Sequence, residues 1–236
     1  MKYIYSYTNN YDLSLKYIFN RESYSVNSSE NTIYHSFYLP MSYYTKNVRY
    51  RISPSFTYSY YGGQDYTKTY GSNFDLSFNS GKNSFSFYVQ HLVLGSLEQE
   101  NYAYLDGNSN KMKVTWIRRF QKSQFSSYLS YSRYNYSDTD LEVYSYSSPN
   151  FGLNYSLYYS KIDFYSGIWF EKRTYDEDSS GLIRIDNLKN ARVQFGWSFA
   201  KYIRSFLNIE YAANSSSDSD NDYEQVITSL GISSGF

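Results

Sequence analysis

Eight basic residues fall on one side of a two-residue alternation that runs through most of the chain. They are Lys16, Arg49, Arg51, Lys113, Arg119, Arg173, Arg192 and Arg204. The acidic residues on the same side are Asp75, Asp163, Glu171 and Glu210. Basic groups therefore exceed acidic groups on that side by four, although the whole chain carries 22 of each. Charged rings select ions in narrow pores, so this excess predicts a passage that favours anionic solutes or an acidic polysaccharide. The candidates for lining it are the eight basic residues together with Glu171 and Glu210.

The same charges have a second interpretation, in which they pair with one another and fill the interior. Arg192 could pair across strands with Glu210, or Arg204 could take the same carboxylate. A barrel of about twelve strands is narrow enough for such pairs to occupy much of its interior. The sequence leaves both interpretations open.

The residue types that carry most hydrolytic and metal chemistry are scarce. The chain has no cysteine and two histidines, His35 and His91. A serine hydrolase needs a histidine within hydrogen-bonding reach of the serine and a group that orients the histidine. No nucleophile motif surrounds His91, and the alternation places both histidines on the apolar side. We therefore predict that the chain is not an enzyme and holds no cofactor or metal.

Two acidic segments, 176–178 and 218–222, carry oxygen ligands at alternate positions. Calcium-binding loops of the EF-hand type also need a glycine at the turn and a glutamate that binds through both oxygens. Neither is present at the required place, so we interpret these segments as solvated surface loops.

Aromatic residues make up 22% of the chain, with 33 Tyr, 16 Phe and 3 Trp. Tyrosine and tryptophan form belts at membrane interfaces because an apolar ring is joined to a polar atom. Aromatic rings along an interior could alternatively form a surface on which sugars stack. The candidates for that role are Tyr128, Tyr134, Tyr165 and Trp169.

Strict alternation of apolar and polar residues predicts strands in most of the chain. A clear example is Ala191, Val193, Phe195, Trp197 and Phe199, which alternate with polar or small residues. No stretch approaches the ~18–20 apolar residues of a membrane-spanning helix. A mean hydropathy of −0.65 is compatible with a membrane barrel, in which only alternate residues meet lipid. The predicted strands are 12–21, 31–44, 48–60, 70–79, 84–95, 111–120, 124–136, 149–159, 163–174, 190–199, 202–213 and 223–236.

Two kinds of connection alternate along the chain. Short turns carry Lys46, Lys82, Lys122, Lys161 and Lys201. Long polar and acidic loops cover 62–69, 97–110, 137–148, 176–188 and 215–222. This layout predicts an all-β, antiparallel transmembrane β-barrel of about twelve strands, with short periplasmic turns and longer extracellular loops. Residues 12–236 form the barrel, and residues 1–11 form a lead-in or an extra strand. A propeller has a similar repeat length but needs four strands in each repeat.

The final segment alternates to the last residue, with Leu230, Ile232 and Phe236 on the apolar side. We interpret these three residues as a signal for the barrel assembly machinery. The N-terminus lacks the apolar segment of a signal peptide, so we expect a precursor that carries one ahead of Met1.

Residues 149–236 resemble a known family of barrels. The motifs that carry the resemblance are 184–187, 193–197, 206–211, 214–220 and 230–236. They are similar to the C-terminal barrels of outer-membrane proteins that follow tetratricopeptide repeats, including those linked to exopolysaccharide export, and more distantly to surface-lipoprotein assembly modulators. The resemblance implies an outer-membrane export component.

These observations predict a channel or export component of a bacterial outer membrane that passes a polymer or a small solute, with a preference for anions. The alternative is an outer-membrane anchor that holds periplasmic or surface partners. Expected partners are outer-membrane lipid, lipopolysaccharide, the assembly machinery and periplasmic subunits of an envelope complex. A formal net charge of zero gives no support for nucleic-acid binding.

Overall fold

The computed structural model describes residues 2–8, 10–22, 31–62, 64–97, 106–137, 144–177, 181–200 and 203–234. The strands are β1 (Lys2–Thr8), β2 (Tyr11–Glu22), β3 (Thr32–Tyr38), β4 (Met41–Tyr44), β5 (Val48–Tyr61), β6 (Gln64–Ser80), β7 (Asn83–Ser96), β8 (Gly107–Arg119), β9 (Ser123–Tyr136), β10 (Tyr146–Tyr159), β11 (Ile162–Glu177), β12 (Ile183–Ala200), β13 (Ile203–Ser216) and β14 (Tyr223–Ser234). A 3-10 turn, Ser219–Asn221, precedes β14. No helix in the described part of the chain is long and apolar enough to cross a membrane.

The strands form one sheet in which, apart from β3 and β4, each strand pairs antiparallel with the next along the chain. β3 and β4 occupy a single position in this order, because both pair with β2 on one side and β5 on the other. The interruption between them contains Pro40, which has no N–H to donate to a neighbouring strand. The sheet therefore has thirteen positions, twelve within 11–234 and one for β1.

The twelve predicted strands are all present in the predicted order, several of them are longer than expected, and β1 adds a thirteenth position at the edge of the sheet. β6 begins at Gln64 and β12 begins at Ile183, where we expected 70 and 190. The prediction was wrong there because both extensions carry polar residues on the side that is apolar elsewhere, including Lys68 and Lys189. The predicted loops 62–69 and 176–188 are accordingly shorter in the structure, and parts of the loops 97–110 and 137–148 lie outside the described residues.

The two faces of the sheet differ in the opposite sense to those of a water-soluble protein. Polar side chains dominate the covered face, where Ser53 and Ser59 are each 1% exposed. Large apolar side chains dominate the other face, where Leu129 is 61% exposed. Tyr175 is the one hydrophobic residue that is buried among the described residues. We call the covered side the polar face and the other side the apolar face; the apolar face has the character of a surface that contacts lipid.

The edges of the sheet are formed by β1 and β14. β1 pairs with β2, and β14 pairs with β13. No ladder among the described residues joins β14 to β1 or β2. Accordingly, the outward side chains of β14 are the most exposed of the apolar face, with Leu230 at 81% and Ile232 at 73%.

Candidate functional site

The ten charged residues that the sequence analysis selected as pore-lining candidates all lie on the polar face. Each shares the two-residue phase of a covered residue of its own strand or of the paired strand. Arg49 and Arg51 are in phase with Ser53, for example, and Lys16 pairs with Tyr38, which is in phase with Ser36. The ten are Lys16, Arg49, Arg51, Lys113, Arg119, Glu171, Arg173, Arg192, Arg204 and Glu210. That these residues line a pore remains a prediction.

Two arginines of this set form ion pairs with carboxylates close to the short turns. Arg49, the second residue of β5, donates from Nη2 to Asp75 Oδ1 at 2.8 Å and to Ser77 Oγ at 3.3 Å. Arg204, the second residue of β13, donates from Nε to Asp163 Oδ2 at 2.9 Å, and its Nη2 contacts the other carboxylate oxygen. The backbone of Gly196 makes room for this second pair, since a Cβ there would lie 2.3 Å from the Arg204 guanidinium.

Two further arginines form ion pairs farther from the short turns. Arg173 Nε donates to Glu171 Oε1 at 2.7 Å, and Ser148 Oγ donates to the same oxygen at 2.8 Å. Arg192 Nε lies 3.4 Å from Glu210 Oε1 and donates to Asn208 Oδ1 at 2.8 Å. The cross-strand pairing of Arg192 with Glu210 is the one that the sequence analysis considered, whereas Arg204 takes Asp163 instead.

The remaining four cations make no ion pair with a carboxylate in the part of the chain that the structure describes. Arg51 lies directly across from Asp75 on the ladder, but that carboxylate is held by Arg49. Arg119 Nη1 donates to the neutral hydroxyl of Ser84 at 2.6 Å. The other two contact tyrosine rings: Lys113 Nζ lies 4.1 Å from the centroid of Tyr128, and Lys16 Nζ lies 5.8 Å from that of Tyr38.

The unpaired and paired cations occupy different parts of the sheet. The unpaired ones lie on β2, β5 and β8, whereas three of the four ion-paired arginines lie on β11, β12 and β13. The charge excess that the sequence predicts for the polar face is therefore concentrated on one half of the sheet.

The sequence analysis missed two further polar-face cations, Lys111, which is in phase with the buried Ser109, and Arg184. The guanidinium carbon of Arg184 lies 3.7 Å from the centroid of Tyr175, and its Nε lies 3.5 Å from Asp186 Oδ2. Arg184 falls in a segment that we interpreted as a loop, so its two-residue phase was not considered.

Several polar-face aromatics contact one another near the end of the sheet away from the short turns. Tyr134 and Tyr146 lie 4.6 Å apart between ring centroids, and Tyr146 and Tyr175 lie 5.1 Å apart. Tyr165 donates its hydroxyl to Asn154 Oδ1 at 2.7 Å. Because a sugar needs a free ring face, the contacts of Tyr134 favour the structural role over a sugar-stacking surface.

Both histidines lie on the apolar face, as the alternation predicts. His35 Nδ1 lies 2.8 Å from the Tyr17 hydroxyl, and His91 Nδ1 lies 2.8 Å from Asn110 Oδ1. Within the described ranges, no three His, Asp or Glu side chains come together as a metal site. In the acidic segment 218–222, Asp218 accepts from the backbone N–H of Asp220 and Asp222 from that of Ser216.

The residues of the predicted assembly signal lie at the free edge of the sheet. Leu230 and Ile232 point to the apolar side, across from Leu207 and Ser205 of β13. Phe236 lies outside the described residues. The assignment of these three residues as an assembly signal stays a prediction.

The antiparallel sheet, with a polar covered face and an apolar exposed face, defines an outer-membrane β-barrel protein. Comparison with solved structures agrees with this class. The chain is similar to a loop L8 deletion mutant of OmpT, an outer membrane protein of Vibrio cholerae, with a TM-score of 0.55 and 9% identity over 98% of this chain and 87% of that one. In-vitro folded OmpT of Vibrio cholerae gives a TM-score of 0.48 and 7% identity over 96% of each chain.

No family model and no curated protein matches the chain. The prediction of an outer-membrane β-barrel and of an outer-membrane location is thus confirmed by the fold. The finer resemblance to barrels of tetratricopeptide-repeat and export proteins is not confirmed.

The prediction that the chain is not an enzyme has to be withdrawn. That prediction relied on the absence of a nucleophile motif. The chain is similar in fold to an OmpT protein, and this similarity gives no ground for excluding an enzyme. At 9% identity that similarity concerns the fold alone, so it leaves the class of activity open.

Proposed function

We propose that this chain forms an outer-membrane channel that passes anionic solutes, either small molecules or an acidic polymer. The observation that carries the proposal is that four of the eight basic candidates on the polar face have no carboxylate partner among the described residues, namely Lys16, Arg51, Lys113 and Arg119. A charge that is fully paired attracts no mobile ion, whereas an unpaired one lowers the energy of an anion nearby.

The distribution of these charges supports a path along one wall. Three of these cations lie on β5 and β8. Lys113 is near the middle of its strand, whereas Arg51 and Arg119 are closer to the short turns. The wall of β11 to β13 is neutralised by its own carboxylates. An anion that crosses the interior would therefore follow the wall from β5 to β8. Neighbouring strands are about 4.8 Å apart, so each cation on this wall lies within a few strands of the next.

The ion-paired wall favours a second function, that of a closed barrel that anchors periplasmic or surface partners. In that case the paired arginines would stabilise the wall through contacts within a strand and between nearby strands, and the unpaired cations would have no transport role. Periplasmic subunits, lipopolysaccharide and the assembly machinery remain proposed partners under either function.

Single-channel recording of the purified protein in planar bilayers separates the two functions. We expect stable conductance with anion preference, and reversal of that preference in the Arg49→Glu, Arg51→Glu double variant. The matched control is the Arg118→Glu, Lys172→Glu double variant, which changes the total charge equally on the apolar face. Silence over many insertions would rule out the channel, and equal selectivity of the two double variants would rule out the polar-face arginines as the source of its anion preference.

A further inference from the structure

A cavity of about 460 Å³ lies on the polar face next to the turn between β4 and β5. Its walls come from that turn and from β5, β6, β7 and β8. Three cations line it, Lys46, Arg49 and Arg119, against one carboxylate, Asp75. The cavity therefore carries an excess of two positive charges, and its volume is within the usual range for small-molecule sites.

The hydrogen bonds around the cavity leave one guanidinium available. Asp75 is committed to Arg49 and also accepts from Ser77 Oγ at 2.8 Å. Arg119 is held by Ser84, whose hydroxyl in turn donates to Asn79 Oδ1. A guanidinium has five N–H donors, so a single bond to a neutral hydroxyl orients Arg119 and leaves donors for a ligand.

A second cavity provides an internal comparison. It has a volume of about 570 Å³ and lies near the short-turn ends of β10 to β13. Two arginines line it, but Arg204 is paired with Asp163 and Arg192 with Glu210. The two cavities are similar in size, and both lie near short turns. They differ in whether their arginines form ion pairs with carboxylates.

We propose that the cavity of Arg49 and Arg119 binds a phosphate-bearing solute, with Arg119 and Lys46 contacting the phosphate. A phosphate ester carries close to two negative charges at neutral pH, which matches the excess of two. Arginine donates paired hydrogen bonds to phosphate oxygens, and Ser86 of β7 also lines the cavity with a hydroxyl that can donate. The inference rests on the proposed channel, because it places a binding step for an anionic solute at the periplasmic mouth.

Titration calorimetry of the detergent-solubilised protein tests this site, with glucose 6-phosphate as the probe and glucose as the neutral counterpart. We expect saturable binding of glucose 6-phosphate and no binding of glucose. Arg119→Gln should weaken binding about tenfold or more, since a charge-assisted bond is lost, and Arg119→Lys should restore part of it.

Two controls keep the test specific. Arg118→Gln alters the neighbouring residue, which points to the apolar face and lies over Phe120, and should leave binding unchanged. Arg204→Gln alters the ion-paired cavity and should also leave binding unchanged. If Arg119→Gln misfolds, Ser84→Ala tests the site through the orientation of Arg119 and should weaken binding by a smaller factor.

The outcome of this titration is independent of conductance. Binding without conductance would uphold the site and overturn the channel. Anion-selective conductance with no binding of glucose 6-phosphate would overturn the site and leave the channel. Equal loss of binding in Arg119→Gln and Arg118→Gln, or equal binding of glucose, would also overturn the site.

Discussion

Arg133 on β9 and Asp176 on β11 reach across β10 to form an ion pair through two contacts on the apolar face. Arg133 Nη1 lies 2.7 Å from Asp176 Oδ1, and Nη2 lies 2.5 Å from Oδ2. Arg133 Nε also donates to Asn135 Oδ1 at 2.7 Å. Below this pair on the same strand lie the exposed side chains of Tyr131 and Leu129. The pair therefore marks the height at which the lipid-facing surface gives way to a polar band under the long loops.

The first prediction concerns the strength of this pair. Both side chains are about a third or more exposed, which weakens an ion pair, while the two-point geometry favours it. A double-mutant cycle with Arg133→Ala and Asp176→Ala should give a coupling free energy of about 0.5–1 kcal/mol. The measurement is urea-induced unfolding of the protein in lipid vesicles, at low and at high salt. A coupling that does not fall with added salt would contradict an electrostatic origin.

The second prediction tests which face meets lipid. Leu129 lies in the middle of β9 on the apolar face, across from Val114. Leu129→Arg should lower the free energy of unfolding in vesicles by about 2–4 kcal/mol, because it places a charge near the bilayer midplane. Thr115→Arg is the matched control, since Thr115 lies on the polar face one residue along from Val114. A larger loss in the control than in Leu129→Arg would reverse the assignment of the two faces.

The third prediction concerns the close contact of Gly152 with Tyr128. A Cβ on residue 152 would lie 2.3 Å from Tyr128 Cε1, so the ring occupies the space that a side chain would need. On the ladder, the two residues are directly paired, and Lys113 Nζ lies over the same ring. Gly152→Val should destabilise the protein by about 1–3 kcal/mol through overpacking.

The control for this prediction is the same substitution after the ring is removed. In a Tyr128→Ala background, Gly152→Val should cost much less, because valine suits a strand and the obstruction is gone. Additive effects of the two substitutions would show that the ring is not the cause of the loss.

The fourth prediction concerns the edges of the sheet. An all-antiparallel path of thirteen positions makes its first and last strands run in the same direction, so β14 could close antiparallel with β2 but not with β1. Bacterial single-chain barrels have even strand numbers and close without a free edge. We therefore expect that deletion of Lys2–Thr8 leaves a barrel that folds and inserts into vesicles, as measured by heat-modifiable gel migration.

Deletion of Tyr223–Ser234 is the comparison, and it should abolish folding because it removes one of twelve closing strands. If deletion of β1 abolished folding equally, β1 would be an integral strand, and the closure would have to be parallel.

A large part of the fold follows from local sequence. The period of two in segments such as Ala191 to Phe199 assigns each side chain to a face before any strand is paired, because successive Cβ atoms of a strand point to opposite sides. The same rule places the ten charged candidates on the polar face. It fails where the apolar face carries polar residues, as at Lys68 and Lys189, because the alternation of hydropathy disappears although the strand continues.

The pairing of those charges was decided by the tertiary structure alone. The two-residue phase says that Arg49, Arg51 and Asp75 share a face. The register of β5 against β6 places Asp75 directly across from Arg51, and only the tertiary structure shows that the diagonal neighbour Arg49 takes the carboxylate and leaves Arg51 without an ion pair. Likewise, Arg133 and Asp176 meet because β9 and β11 flank β10, and they are 43 residues apart in the chain. Alternation is a property of a single strand, so the sequence determines it. Charge neutralisation depends on which strands are neighbours and on the register in which they pair, so only the tertiary structure decides it.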